Sequence, residues 1–415
     1  MNNIHLSFID LFVPLILGII YIFVNPDRLY DPYLYLFLIY SITIVLISIS
    51  KNFYNNYFLT NISEKLKITF VTSFFAIFIQ MLISLYYSIN IDFYLFLIWI
   101  LIPISIILIK YLVRLRRSTL KHIMIIGQLY KFNDYEIKTL INKNFKVYFF
   151  NDINDLLTSK EFHNNDILIV INFEKNSLVK TKEINNLVSS DKTISLNRFM
   201  EEYLRKLYIT NDELIIDLSN YDRFNYVMKI IIDYSLSIIL IPIFIIVFIW
   251  MIIMKFLKRS RESILYKQQR YGINKEIFTL FKVRTMYINS ENEGNTRIND
   301  DRVYPFARIL RKYRLDELPQ IINVILGHMH LVGPRAEWVK LSDNYYKNIS
   351  NYSLRHIVKP GITGWAQIMY PYGLDENDAK QKLMYELYYI KNWSVWLELE
   401  ICIRTLFVVL DKRGF

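Results

Sequence analysis

Four apolar stretches, 8–24, 34–49, 68–87 and 93–113, constrain this chain more than any other feature. Each approaches the ~20 residues that an α-helix needs to cross a ~30 Å hydrocarbon core. A chain that is 53% hydrophobic, 16% aromatic and only 21% charged has the composition of membrane helices joined to soluble parts. The first stretch carries Asp10 and Pro14 and is the least regular. Lys51, Lys65 and Lys67 follow the second stretch, and Arg114, Arg116 and Arg117 follow the fourth; the other connections hold little beyond Arg28. The positive-inside rule then puts both chain ends in the cytoplasm. No ionisable network runs through these stretches, so a transport pathway is not expected. The first stretch lacks a basic start and a small-residue cleavage site, which argues against a cleaved signal peptide.

With 415 residues there is room for two or three domains, and a net charge of +11 fits an anionic partner. Phosphates, an acidic membrane face and nucleic acid all suit that charge, but no nucleic-acid recognition motif is present. The single cysteine, Cys402, excludes an intramolecular disulfide and a cysteine-based zinc site. From Lys121 the pattern changes to short apolar runs, HIMIIG, FKVYFF, DILIVIN and TISLN, separated by polar segments. These predict buried strands of a small α/β domain of Rossmann type over 118–219. Gly127 follows the first run without a G-x-G-x-x-G pattern, so no backbone cradle for a pyrophosphate is evident.

A fifth apolar stretch, 238–254, is long enough to span but is not built like a simple crossing. Pro242 removes a backbone donor within it, and Asp233 and Ser235 lie one to two turns upstream. Cations flank both ends: Arg223 and Lys229 before, Lys255, Lys258, Arg259 and Arg261 after. One flank of a true span is normally poor in cations. A helix over about 227–257 that enters and leaves one leaflet, broken at Pro242, reconciles these features.

The chemistry concentrates later. IFTLFKV alternates as a strand does, which puts Lys282 and Arg284 two residues apart on one face. RILRKYRLDELPQIINVILGHMHLVGPR then places adjacent carboxylates, Asp316 and Glu317, among Arg308, Arg311, Lys312, Arg314 and Arg335. Carboxylates in a cationic setting stay ionised at neutral pH and can serve as nucleophile or metal ligand. Pro319 limits a helix through the pair, and Gly333-Pro334 turns Arg335 in as a rigid fork of donors. PGITGWAQ presents Trp365 as a stacking platform and Gln367 as a hydrogen-bonding side chain. The last stretch, YELYYIKNWSVWLELEICIRTLFVVL, suits a helix lying in a membrane interface.

LDELPQ, NVILG, LVGPR and PGITGWAQ, in that order, strongly resemble the bacterial sugar transferase family, from about residue 222 onward. These are large monotopic phosphoglycosyl transferases, which move a sugar phosphate from a nucleotide sugar to a polyprenyl phosphate. The resemblance implies a membrane protein with an α-helical transmembrane bundle (1–117), a degenerate Rossmann-like accessory domain (118–219) and a mainly α-helical catalytic domain (220–415) with a re-entrant membrane helix. It implies a UDP-sugar donor, undecaprenyl phosphate as acceptor, and UMP release through a phosphosugar-aspartate intermediate. Asp316 would be the nucleophile, with Glu317 holding Mg²⁺, and Lys282, Arg284, Gln320, Arg335, Gln367 and Glu386 binding substrate. The implied location is the bacterial inner membrane, multi-pass, with the catalytic domain on the cytoplasmic face and a homodimer possible. Val283, His328, His330 and Ala336 depart from the family pattern, and Glu386 and Glu398 stand where aspartates are usual. Either histidine is conceivable as a base, with a surface loop the simpler role. Every group assigned to chemistry follows residue 220, so a fragment beginning near Asn220 is expected to retain activity.

Two other classes fit parts of the chain. A membrane-anchored, NAD-dependent nucleotide-sugar dehydratase or epimerase would need a glycine fingerprint and a tyrosine–lysine pair. Tyr271 and Lys275 have that spacing but lie outside the Rossmann-like region. A non-catalytic scaffold for polysaccharide assembly would release no UMP.

Overall fold

A computed structural model describes residues 3–24, 32–50, 62–86, 93–116, 121–143, 145–159, 162, 167–173, 192–210, 216, 223–257, 263–287, 301–370, 373 and 375–410. The chain divides into two compact units, Met1–Thr119 and Leu120–Phe415. The boundary expected at 219/220 falls inside the second unit, among residues outside the described set.

The first unit is four helices, α1 (Asn3–Val24), α2 (Pro32–Ser50), α3 (Ile62–Tyr86) and α4 (Phe93–Arg116), one for each expected apolar stretch. α1 packs on α2 and α4, and α3 packs on the same two, which closes a ring. Phe37, Tyr40, Ala76, Trp99 and Ile102 fill its centre. The inward face of α3 is polar, with Thr69, Thr72, Ser73, Gln80 and Ser84 all buried, and Gln80 donates to the Leu36 carbonyl of α2. Polar side chains of this kind hold helices together where the surroundings offer no hydrophobic drive. Asp10 is also fully buried. Ile68–Tyr86 of α3 is one of two described segments long and apolar enough to cross a membrane.

The second unit opens with the predicted α/β layer. β1 (Lys121–Ile126), β2 (Phe145–Phe150), β3 (Ile167–Ile171) and β4 (Thr193–Ser195) form a parallel sheet in the order β2-β1-β3-β4. α5 (Asp134–Asn142) follows β1 through an Asn133/Glu136 capping box, and α6 (Ile153–Leu157) follows β2. Ligands of such sheets sit where the strand order reverses, at the carboxyl ends of β1 and β3. Here the buried Asn172 occupies that crevice: its amide donates to the Gly127 and Tyr130 carbonyls at 3.0 and 2.9 Å and accepts the Tyr130 N–H at 2.9 Å. The backbone that would cradle a phosphate is bonded to the protein itself. α7 (Leu196–Phe199) then runs into a wide π turn, Met200–Leu204, which ends at Arg205 in a left-handed conformation (φ 55).

The rest of the unit is built around α8 (Arg223–Leu257), the second segment of membrane-crossing length. The helix continues through Pro242, so the expected break is a proline inside one helix rather than a gap between two. Both arms of α8 pack on the same fold. On the first, Lys229 reaches Glu398 at 2.7 Å and the Val332 carbonyl at 2.9 Å, and Asp233 holds His330 Nδ1 at 2.6 Å and the Leu331 N–H at 3.1 Å. On the second, Val247 and Met251 are buried with Val283 and Leu310, and Trp250, Leu315 and Leu318 lie alongside. Between the arms, Ile238, Ile239, Ile243, Ile245 and Ile246 are exposed.

The remaining elements are the antiparallel hairpin β5 (Leu265–Tyr271) and β6 (Ile277–Val283), α9 (Arg308–Lys312), a 3-10 turn Leu315–Glu317 and α10 (Gln320–Ile325). β7 (His330–Val332) pairs in parallel with β8 (Gly361–Thr363); α11 (Val339–Asn348) and a 3-10 turn Tyr352–His356 lie between them in sequence. α12 (Trp365–Met369), α13 (Glu376–Lys391) and α14 (Val395–Leu410) close the fold.

Candidate active site

Arg314 takes a left-handed conformation (φ 55) that non-glycine residues rarely adopt, and it starts the 3-10 turn carrying Asp316 and Glu317. Such a turn costs of order 1–3 kcal/mol and persists because its surroundings hold it. Leu315 and Leu318 anchor it on α8 from either side of the pair. Pro319 ends it, and α10 begins at Gln320, which is buried. Asn323, fully buried on α10, donates to the Thr279 carbonyl (2.7 Å) and accepts the Phe281 N–H (3.1 Å). One amide thus completes the free edge of β6 and fixes the carboxylate turn against the strand that carries Lys282.

Lys282 Nζ meets Glu317 Oε1 at 2.9 Å, and Arg335 approaches the same oxygen at 3.4 Å, with Arg314 at 3.9 Å from Oε2. Burial alone would raise the Glu317 pKa, but Lys282, Arg335 and Arg314 outweigh it and hold it well below the usual range. Asp316 differs. Burial and then the Glu317 charge push it up to about 6, against the pull of Lys282 and Arg311. Glu317 is thus firmly ionised at neutral pH, as expected of a carboxylate among cations, and Asp316 sits closer to its titration range while still mostly ionised there. An Asp316 that must be ionised to react gives a rate that rises with pH through about 6 and falls below it. Single-turnover UMP release from a UDP-sugar, without lipid phosphate, should show that acid limb; a flat profile between about pH 5 and 8 would separate the reaction from this carboxyl.

The structure brings Lys282, Glu317 and Arg335 together and places Glu386 directly behind them. Glu386 is buried, pairs with Arg355 through both oxygens at 2.7 and 2.8 Å, and accepts the Arg335 N–H at 3.1 Å. Expected to bind substrate, Glu386 here holds the Arg355 guanidinium and the backbone of Arg335. Arg355 also donates to the Arg335 carbonyl at 2.7 Å. Nothing in the sequence pattern singled out Arg355. The Gly333-Pro334-Arg335 turn lies so close to β8 that a Cβ on Gly333 would meet backbone at Lys359, Pro360 and Gly361.

Arg284 falls one residue beyond β6; its Nε donates to the Ser263 carbonyl at 3.1 Å and its guanidinium lies over Tyr266. Trp365 is no stacking platform: it is 1% exposed, and its ring is covered by Arg205 at 4.1 Å. Gln367 keeps a buried amide nitrogen with no hydrogen-bond partner among the described residues. His330 is buried against Asp233 rather than in a surface loop, and His328 is exposed. Glu398 is held by Lys229 and Trp393, both at 2.7 Å, and so ties α14 to α8.

No group of three or more histidine, cysteine or acidic side chains that could hold a metal occurs among the described residues. The carboxylate pair still offers the hard oxygens Mg²⁺ prefers. That ion is commonly held by one or two carboxylates together with substrate phosphates.

The site is a carboxylate pair in which lysine and arginine clasp Glu317, on a turn seated against a helix of membrane length. The Bacterial sugar transferase family profile matches residues 224–412. A UDP-N-acetylgalactosamine-undecaprenyl-phosphate N-acetylgalactosaminephosphotransferase of Aeromonas hydrophila is 40% identical over 157 residues, 37% of each chain. A UDP-glucose:undecaprenyl-phosphate glucose-1-phosphate transferase of Xanthomonas campestris pv. campestris is 39% identical over 160 residues, 37% of this chain and 33% of that one. The uncharacterized sugar transferase EpsL of Bacillus subtilis (strain 168) is 38% identical over 153 residues, covering 37% of this chain and 73% of the relative. The chain belongs to the bacterial sugar transferase family. Its match spans about a third of the length of the first two relatives.

Proposed function

We propose that this protein transfers a hexose 1-phosphate from a UDP-sugar to undecaprenyl phosphate at the cytoplasmic face of a bacterial inner membrane. The observation that carries the reading is the Asp316–Glu317 turn, in which Glu317 is bound by Lys282 and Arg335 while the adjacent Asp316 feels the charges of Lys282 and Arg311. An Asp316 oxygen attacks the phosphorus bonded to the sugar. The bond from that phosphorus to the bridging oxygen breaks, and UMP leaves with the electron pair. A phosphate oxygen of the lipid then attacks the phosphosugar-aspartate, freeing the Asp316 carboxylate and giving polyprenyl diphosphate-sugar. Two steps keep two anionic substrates from having to meet at once. Lys282 and Arg335 hold the phosphates, and Arg284, Gln320, Gln367 and Glu386 are the further candidates for contact with substrate or for support of the groups that make it. Glu317 would hold Mg²⁺, which supplies charge neutralisation on the diphosphate. The relatives' names specify different sugars, N-acetylgalactosamine and glucose. UMP release should therefore be screened over several UDP-sugars with polyprenyl phosphate and Mg²⁺. Release from at least one is expected, and none from any would remove the reading.

The re-entrant reading of α8 rests on both of its ends packing on one fold, with Pro242 and exposed isoleucines between them. If Arg223 and Arg261 lay on opposite faces, one arm would leave the fold that both arms now touch. With Cys402→Ser as background, Arg223→Cys and Arg261→Cys should both react with an impermeant thiol reagent from the same side of sealed, oriented vesicles. Labelling from opposite sides would make α8 a span. The four helices of the first unit are read as the multi-pass anchor, and a homodimer is compatible with the α/β layer.

A further inference from the structure

We propose that Arg205, Lys206 and Leu207 form a positioning joint through which the α/β layer sets the placement of Arg335. These three consecutive residues grip two separate parts of the site. Arg205 turns through its left-handed conformation so that its carbonyl accepts the Trp365 Nε1–H at 2.9 Å while its guanidinium lies 4.1 Å from the centre of the same ring. That guanidinium also bonds Glu400 of α14 at 2.7 Å and Tyr388 Oη of α13 at 3.2 Å. Lys206 is fully buried. It pairs with Glu136 of α5 and donates at 2.9 Å both to Tyr130 Oη and to Gln381 of α13. The Leu207 N–H donates to the Met384 carbonyl at 2.9 Å, again on α13.

Both gripped parts lead to one residue. Trp365 follows β8 after the single residue Gly364, and in that strand Thr363 accepts the Gly333 N–H, the Gly361 N–H donates to the Pro334 carbonyl, and Gly361 bridges Arg335 itself. α13, held at Gln381 and Met384, carries Glu386, which accepts the Arg335 N–H. The backbone of Arg335 is thus suspended between two supports, each fixed at its far end by residues 205–207. Outer supports of this kind orient the groups that touch substrate, and a misplacement of about 1 Å can cost as much as 100-fold in rate. The crevice that would hold a nucleotide in a Rossmann fold is closed by Asn172. The neighbouring Tyr130 instead contributes its hydroxyl to the joint.

The kinetic arm of the test rests on the proposed transferase activity; a second arm does not. In the full-length protein, Arg205→Met, Arg205→Lys and Lys206→Met would be compared with wild type for kcat and KM of UMP release, melting temperature, and amide exchange over 330–340. The Lys variant keeps the charge near Glu400 but loses the flat stacking surface, so it should fall between wild type and Met. In each variant that retains a cooperative melt, the joint predicts faster exchange at Gly333 and Arg335. It also predicts kcat lower by roughly 10- to 100-fold with a much smaller change in KM. Unchanged exchange there, with kcat per folded molecule equal to wild type, would reduce these residues to ordinary packing and overturn the proposal. A wild-type protein that releases no UMP would remove the transferase reading, and the exchange arm would still decide the joint.

Discussion

Asp316→Asn should slow UMP release by on the order of 10⁴-fold or more while the protein still folds and inserts. The amide has the size of the carboxylate and leaves the 3-10 turn, the left-handed Arg314 and the leucines that seat the turn on α8 undisturbed. What it removes is an oxygen able to form a bond to phosphorus. Glu317→Gln should behave differently. Glu317 is the shared acceptor of Lys282 and Arg335, so the amide weakens the clasp and releases two cations from their set positions. Its loss should appear in KM as well as kcat, whereas that of Asp316→Asn is confined to kcat. Turnover by the asparagine variant at a wild-type rate would take Asp316 out of the chemistry.

Removing residues 1–219 should abolish most folded activity, contrary to what the position of the catalytic groups alone suggests. Phe199, Met200, Leu204, Leu207 and Ile209 are buried in a core shared with Trp365, Met384, Tyr385 and Tyr388. Burial of such side chains is worth about 1.5–3 kcal/mol each, so five contribute on the order of 7–15 kcal/mol as an upper estimate. That matches the whole stability of a typical domain, roughly 5–15 kcal/mol. The truncation also strips Arg205 from Glu400 and Trp365. A fragment starting at Lys121 keeps this core intact and should melt cooperatively and release UMP in detergent or nanodiscs. Equal melting temperatures and rates for fragments starting at 121 and 220 would show that the shared core carries little.

The sequence disclosed what is written locally. Four apolar runs became four parallel strands because buried strands need only a continuous apolar stretch and a polar break. Lys282, the carboxylate pair and Arg335 are legible because the motif order marks them, and the fold brings Lys282 and Arg335 to 2.9 and 3.4 Å from Glu317. Partnerships between distant residues were not legible. Arg355 and Glu386 are 31 positions apart, Asp233 and His330 97, and Arg205 and Glu400 195. No periodicity spans such distances. A buried charge looks like a surface charge until its partner is placed. Trp365 misled for the same reason: an aromatic after a glycine turn suits stacking on a ligand, and only the fold reveals the arginine already covering it. Gln128 illustrates the opposite case, a polar residue beside the expected nucleotide crevice that simply bonds Asn151 across the strand ends.

The central claim is a covalent phosphosugar on Asp316, and trapping tests it most directly. Wild-type protein would be mixed with a UDP-sugar labelled in the phosphate next to the sugar, quenched on the millisecond scale without lipid phosphate, and mapped by peptide mass. Label on the peptide containing Asp316, lost when undecaprenyl phosphate is added and absent from Asp316→Asn, is the predicted result. Turnover to lipid product with no labelled enzyme at any quench time, or equal labelling of the asparagine variant, would contradict the account.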